Sequence, residues 1–327
     1  MNSTPTIVIL DGYTINPGDN PWIPVEALGT CLIHDRTPPE LLLERAMAAD
    51  IILTSKCKLD AGILEALPRL KYISMLATGY NNVDVVAAGK RGIAVSNVPA
   101  YSTESVAQTT FALLLELASA VGMHDAAVKA GEWVRCSDHS FWKSSILELD
   151  GLTLGIVGYG TIGRAVARIG AAFGMKVISY TPRIPLEPGP TPVQFVPLEE
   201  LFATADVVTL NCPQTDDNAG FVNYGLLALM KPSSYLINVA RGGLVNEGDL
   251  ARALREGKIA GAGLDVVAHE PMLADNPLLS AHNCIFTPHI AWASLAARKR
   301  LMAIVAANVV SFLSGTPINV VNAQHLT

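Results

Sequence analysis

Charged residues are scarce in this chain. Asp, Glu, Lys and Arg make up only 16% of its 327 residues, and the formal charge of −6 includes no extended basic block. That excludes the electrostatic footprint of a nucleic-acid binder or of a protein held on an anionic membrane. The densest basic run, Arg298-Lys299-Arg300, reads as the solvated face of a helix. Cysteine is sparse too. Cys31, Cys57, Cys136, Cys212 and Cys284 are scattered with no CxxC spacing, which argues against a metal site and for a reducing, cytoplasmic compartment. Long apolar runs are also missing. The stretch MNSTPTIVILDGYT has neither the basic flank nor the apolar core of a signal peptide, and Ser105–Val121 is interrupted by Gln108 and Glu116. No membrane, nucleic-acid or metal partner is expected. What is present is a half-hydrophobic composition in a chain long enough for two domains, which suits a compact α/β enzyme.

The most informative stretch is Leu152–Tyr180, LTLGIVGYGTIGRAVARIGAAFGMKVISY. An apolar run, Leu152–Val157, has the length of a buried strand. Gly158-Tyr159-Gly160-Thr161-Ile162-Gly163 follows, and Ile162, Val166, Ile169 and Phe173 then recur at helical spacing up to Gly174. Lys176–Tyr180 reads as a second strand. Strand, glycine turn, helix and strand make a βαβ unit able to hold a dinucleotide. Gly158 permits the tight turn, Gly160 lets backbone N–H groups approach a pyrophosphate, and Gly163 lets the helix pack on the strand. The helix N-terminus adds unpaired donors and partial positive charge.

Elsewhere the same rhythm recurs. Thr6–Leu10, Cys31–His34, Asp50–Thr54, Leu70–Leu76 and Ile93–Ser96 read as strands, with helical segments such as Pro39–Ala49 and Asp60–Leu67 between them. Asp60 is a suitable N-cap. Thr103–Val121 reads as a long buried helix, and Gly131–Ser145 as an irregular excursion carrying Trp133, Phe141 and Trp142. Such aromatics need cover, from the chain itself or from a second subunit. Further strands are expected at Val193–Val196, Asp206–Leu210, Ser234–Val239, Ala260–Val266 and Cys284–Thr287. The last helix, Trp292–Ser314, is expected to return to the first domain. The fold class is α/β with two doubly wound parallel sheets and a cleft between them. One domain is a Rossmann dinucleotide-binding domain at 101–291, and the other a discontinuous, flavodoxin-like substrate domain at 1–100 plus 292–327.

Arg241, Glu270 and His289 each stand shortly after one of these strands, so a guanidinium, a carboxylate and an imidazole converge on the crevice assigned to the dinucleotide. Hydride transfer to a carbonyl leaves an alkoxide that needs a proton, and a histidine can supply it. A carboxylate on the far ring nitrogen fixes the tautomer and favours the protonated acid. The guanidinium fork can bind a substrate carboxylate and polarise the adjacent carbonyl. The reaction expected is reversible reduction of a 2-keto acid to a 2-hydroxy acid.

The segments GYGTIG, NVARGGLVNEGDL, GLDVVAHEP and TPHIAWAS, with ATGYNNVD and NVPAYSTESVAQ, resemble the D-isomer-specific 2-hydroxyacid dehydrogenase family across nearly the whole chain. The resemblance implies Arg241, Glu270 and His289 as the catalytic residues. It implies that Thr78 and Gly79 backbone groups hold the substrate carboxylate and that Asp265 contacts the nicotinamide carboxamide. Thr103, Thr161, Ile162, Cys212, Pro213 and Ala240 should line the cofactor. Trp142 and Trp292 are candidates to shape the substrate pocket. A homodimer is implied, joined through an arm near residues 131–146. Within the family the motifs are most similar to enzymes acting on hydroxypyruvate and D-glycerate; glyoxylate or another 2-keto acid is the alternative substrate, and a dinucleotide-sensing co-repressor the non-enzymatic one.

One position departs from an NAD-binding pattern. About twenty residues past the glycines an acid usually binds the ribose 2′-OH. Here Tyr180 is followed by Thr181, Pro182 and Arg183. Without the acid a 2′-phosphate is not repelled, and Arg183 can pair with it. NADP(H) is therefore favoured over NAD(H), which a neutral Thr181 still permits.

Overall fold

A computed structural model of the chain describes residues 4–187 and 189–326. The chain divides into two compact units, Met1–Ser102 with Trp292–Thr327, and Thr103–Ala291.

In the first unit, β1 (Thr6–Ile9), β2 (Thr30–Ile33), β3 (Ile51–Thr54), β4 (Tyr72–Met75) and β5 (Ala94–Ser96) form a parallel sheet in the order β2-β1-β3-β4-β5. Alternation along the strands builds a core on each face. Ile7, Ile9, Ile51 and Leu53 pack with Leu301, Val305 and Val309 of the helix Leu295–Leu313, whereas Val8, Ile52 and Ile73 pack with Leu42 and Leu64 on the opposite side. Each such side chain contributes about 1.5–3 kcal/mol by leaving water. Asp60 caps its helix as expected, accepting the Ile63 N–H at 3.1 Å. The Pro39–Ala49 segment is a 3-10 turn, Pro39–Leu41, leading into a short helix, Leu42–Ala46.

The basic triplet needs a correction. Arg298 is 7% exposed, and its guanidinium donates to Asp19, to the Ile15 carbonyl and to the Ala293 carbonyl. Arg300 donates to the Tyr101 carbonyl at 2.8 Å. Arg298 is therefore buried and ties the final helix into its unit, while Lys299 and Arg300 keep to the solvated face that the sequence suggests.

In the second unit, β6 (Thr153–Val157), β7 (Lys176–Tyr180), β8 (Gln194–Phe195), β9 (Val207–Leu210), β10 (Tyr235–Asn238), β11 (Gly261–Leu264) and β12 (Cys284–Phe286) form a second parallel sheet. Its order is β12-β11-β10-β9-β6-β7-β8, so strand order reverses between β6 and β9. Ligands of open α/β sheets bind outside the carboxyl ends of the strands at such a reversal. The helix Thr103–Ser119 lies against β10 and β11; Gly263 admits it closely, since a Cβ there would stand 2.9 Å from the Leu113 Cβ. This helix stops short of Val121. Ala120 adopts a left-handed conformation (φ 47°), and a second helix, Val121–Lys129, leaves at a bend of 55°. Among the described residues no single helix is long and apolar enough to cross a membrane, although the bent pair passes that test when its two parts are combined. No helix or strand is formed between Lys129 and Thr153, and there Trp133, Val134, Trp142 and Ile146 are exposed.

Candidate active site

Backbone geometry explains each glycine of the turn after β6. Gly158 has φ +97°, and a Cβ on it would meet the Cys212 nitrogen at 2.7 Å. This is where the ends of β6 and β9 close together. A Cβ on Gly163 would collide with the Gly158 carbonyl, so the helix start packs directly on the turn. Around Gly160, by contrast, nothing lies within 4 Å of a Cβ position. Gly160 is also the N-cap of the helix Thr161–Ala172, with no side chain capping its first N–H groups. Thr161 and Ile162 therefore open a helix that its cap residue leaves without a side-chain bond, with space among the described residues beside Gly160. The turn fits a dinucleotide pyrophosphate.

The other expected cofactor residues lie on the same unit. Gly158 N–H donates to the Tyr180 carbonyl at 2.8 Å, which sets Thr181 beside the turn. Thr181 Oγ1 donates to the Arg183 carbonyl at 3.4 Å, and the Arg183 side chain is exposed. Cys212 and Pro213 follow β9, and burial raises the Cys212 thiol above its ordinary pKa. Ala240 follows β10, its N–H donating to Asn238 Oδ1 at 3.0 Å. Thr103 is the first residue of its helix.

Asp265, just past β11, is 2% exposed. Its Oδ1 accepts Thr287 Oγ1 at 2.6 Å and the Ile290 N–H at 2.9 Å, and its Oδ2 accepts the Ala291 N–H at 2.9 Å. Its backbone carbonyl accepts the His289 N–H at 2.8 Å. This clamp surrounds a strained residue, since His289 has φ +54°, a conformation costing about 1–3 kcal/mol outside glycine. Asp265 thus fixes the backbone that carries the imidazole.

His289 Nδ1 and Glu270 Oε2 are 2.6 Å apart, the short separation of a charge-assisted hydrogen bond. Glu270 Oε1 accepts the Val267 N–H at 3.3 Å. Burial alone would raise the Glu270 pKa; the His289 hydrogen bond and charge, the Val267 N–H and the Arg241 charge outweigh it and hold the group below its usual value. Glu270 is a carboxylate at neutral pH. Arg241 lines one pocket with Glu270, His289, Gln214, Gly242 and Ala268. Its Nη1 donates to the Ala240 carbonyl at 2.7 Å, and Asn238 Nδ2 donates to the Arg241 carbonyl at 2.9 Å, so the turn after β10 is held from within. The neighbouring His269 pairs its Nδ1 with the Pro271 carbonyl at 2.9 Å and takes no part in this cluster.

Thr78, Gly79 and Trp292 belong to the first unit. Thr78 Oγ1 donates to the Val98 carbonyl at 2.7 Å, and Asn97 Nδ2 donates to the Thr78 carbonyl at 2.8 Å, so local bonds shape this turn. Trp292 meets Tyr101 edge to face, with ring centroids 6.4 Å apart. Sequence reasoning passed over Asn238, Glu247, Thr287 and Gln214. Asn238 alone carried a signal, a carboxamide at the end of an apolar strand, which when buried must find partners.

Comparison with known proteins places this geometry in a family. Residues 111–291 match the model of the D-isomer specific 2-hydroxyacid dehydrogenase NAD binding domain. The chain is 46% identical over 323 residues to a hydroxypyruvate reductase of Blautia hydrogenotrophica, covering 97% of this chain and 99% of the relative. It is 39% identical to a glycerate dehydrogenase of Methylorubrum extorquens, covering 87% of this chain and 89% of that one. Among solved structures, an NADPH-dependent glyoxylate/hydroxypyruvate reductase from Sinorhizobium meliloti, in complex with NADP and malonate, superposes with a TM-score of 0.84 at 31% identity, covering 99% of this chain and 98% of the other. The chain belongs to the D-isomer-specific 2-hydroxyacid dehydrogenase family.

Proposed function

We propose that the protein is a cytoplasmic, homodimeric hydroxypyruvate reductase that interconverts hydroxypyruvate and D-glycerate with a nicotinamide dinucleotide. The observation that carries the chemistry is the 2.6 Å Glu270–His289 pair sharing a pocket with Arg241. The dinucleotide, when bound, supplies the hydride to the C2 carbonyl carbon. His289 gives its proton to the carbonyl oxygen as the C–H bond forms, so one hydride and one proton convert the keto acid to the hydroxy acid. Glu270 holds the ring through Nδ1, which directs Nε2 towards the reacting oxygen and stabilises the imidazolium before transfer. Arg241 draws electron density from the carbonyl and steadies the oxygen as charge develops. The substrate carboxylate is assigned to the Thr78–Gly79 backbone, with Trp292 as a wall of the substrate pocket.

The substrate rests on the printed activities of the relatives, hydroxypyruvate reductase at 46% identity and glycerate dehydrogenase at 39%. Glyoxylate is the second reading, favoured by the 39% identity to a glyoxylate reductase of Thermococcus litoralis. NADP(H) is favoured because Thr181 stands where an acid would repel a 2′-phosphate and the Arg183 side chain nearby is exposed. A dimer is supported by the excursion at 131–146, where Trp142 is 69% and Val134 87% exposed, apolar area that a second copy would cover. The test is to follow nicotinamide absorbance with NADH and NADPH against hydroxypyruvate, glyoxylate, pyruvate and phenylpyruvate. Hydroxypyruvate with NADPH is expected to give the highest kcat/KM, and preference for another acid would overturn the substrate. Arg183→Ala is expected to weaken NADPH several-fold more than NADH, and equal effects would remove the cofactor argument.

A further inference from the structure

Glu247 sits in the first turn of the helix Glu247–Arg255, yet both of its carboxylate oxygens are engaged outside that helix. Oε1 accepts the Ala268 N–H at 2.8 Å, and Oε2 accepts Asn276 Nδ2 at 2.9 Å. Asn276 is itself fixed, its Oδ1 capping the Leu278 N–H at 2.9 Å. Ala268 stands two residues before Glu270, in the segment whose Val267 N–H donates to Glu270 Oε1. Gly242, the residue after Arg241, backs the same segment closely: a Cβ there would collide with the Val267 carbonyl and the Ala268 nitrogen. The segment 267–270 is therefore gripped between the turn that carries Arg241 and the Glu247 carboxylate. Bonds from an ionised carboxylate to N–H groups are among the stronger hydrogen bonds of a protein.

The geometry points to Glu247 as a positioning residue of the proton-donor pair: by holding Ala268 and Asn276 it keeps Glu270 in register with His289. This rests on the reading of Glu270–His289 as that pair. Asp265 secures the imidazole backbone from one side, and Glu247 secures the carboxylate segment from the other. The charged and titratable groups near the pair include Arg241, which acts on Glu270, and Asp265, whose carboxylate holds the residues after His289. They also include His269, next to Glu270 in the chain, and Glu247. Glu247 also reaches Cys284, whose thiol is pushed up to about 12 by burial first and by the Glu247 charge second.

Reach and charge can be separated by substitution. Glu247→Asp keeps the charge but is one methylene too short to hold both Ala268 and Asn276. Glu247→Gln keeps the length and an acceptor for the Ala268 N–H, but it loses the charge and turns an amide NH2 towards the Asn276 donor. The readout is the His289 ring titration followed by NMR in the cofactor-free protein, the signal being assigned by its loss in His289→Gln. It needs no turnover, so it stands apart from the test of the catalytic reading. Glu247→Asp is expected to lower the titration midpoint by about half a pH unit, a fraction of the effect of a neighbouring opposite charge. Glu247→Gln, which keeps the Ala268 bond two residues from Glu270, should lower it by less than Glu247→Asp does. In turnover, Glu247→Asp should move the alkaline limb of the reduction profile to lower pH by the same amount and leave dinucleotide affinity unchanged. The inference is overturned by the reverse order of the two variants, which would make Glu247 a source of charge only. It is equally overturned if Glu247→Asp leaves the His289 titration unmoved while lowering Tm, which would make Glu247 purely structural.

Discussion

The two sheets reverse strand order in the same way and handle the resulting turns oppositely. In the first unit, the turn after β3 directs N–H groups at a carboxylate of the chain itself. Asp11, 8% exposed, accepts Thr54 Oγ1 at 3.1 Å and the N–H groups of Ser55, Lys56 and Cys57. In the second unit, the turn after β6 has no side-chain cap, and Gly160 keeps the space before the helix clear of neighbouring atoms. Both places gather donors that favour an anion. One anion comes with the sequence; the other is left to a ligand. An α/β crevice becomes a binding site when glycines replace side chains that would satisfy it.

The contrast can be pressed first at the chemical end of the second crevice. His289→Gln is expected to lower kcat by about a hundredfold to ten-thousandfold, the usual cost of losing a general acid, with dinucleotide affinity kept. Turnover near wild type would remove His289 as the proton donor. Gly160→Ala tests the space itself. Gly160 has φ −81°, which alanine adopts freely, so the fold and Tm should hold while dinucleotide affinity falls about tenfold, or ~1.4 kcal/mol. Gly158→Ala should instead lower Tm as well, because φ +97° and the Cys212 nitrogen both oppose a Cβ. Equal behaviour of the two variants in calorimetry and in dinucleotide titration would dissolve the distinction. Asp11→Asn should cost the first unit about 1–3 kcal/mol, because an amide group would face N–H donors, while dinucleotide affinity stays as it was. A loss of dinucleotide affinity would show that Asp11 does more than complete its own turn.

The sequence made the glycine turn readable because its constraints are local: a strand, a φ only glycine tolerates and a helix start lie within a few residues of one another. The strand cores were readable for the same reason, as short apolar runs between turn residues. The clamps were not. Asp11 acts on residues more than forty positions away, and Glu247 on Ala268 and Asn276, through carboxylate bonds to backbone and amide groups that leave no periodic trace. Arg298 was misread because its partner, Asp19, lies 279 positions earlier in the chain. The break at Ala120 was hidden because alanine is the strongest helix former, so its left-handed φ runs against local propensity. Arg241, Glu270 and His289 were legible as residues following strands. Their bond lengths, and the strained backbone under His289, required the structure.

The most direct measurement mixes the wild-type protein, preloaded with one equivalent of NADPH, with hydroxypyruvate, and records nicotinamide absorbance together with proton uptake from a weakly buffered indicator solution. The account predicts that absorbance falls to completion with one proton taken up for each nicotinamide oxidised. Dinucleotide that binds but shows no loss of absorbance with hydroxypyruvate or any other 2-keto acid would contradict it.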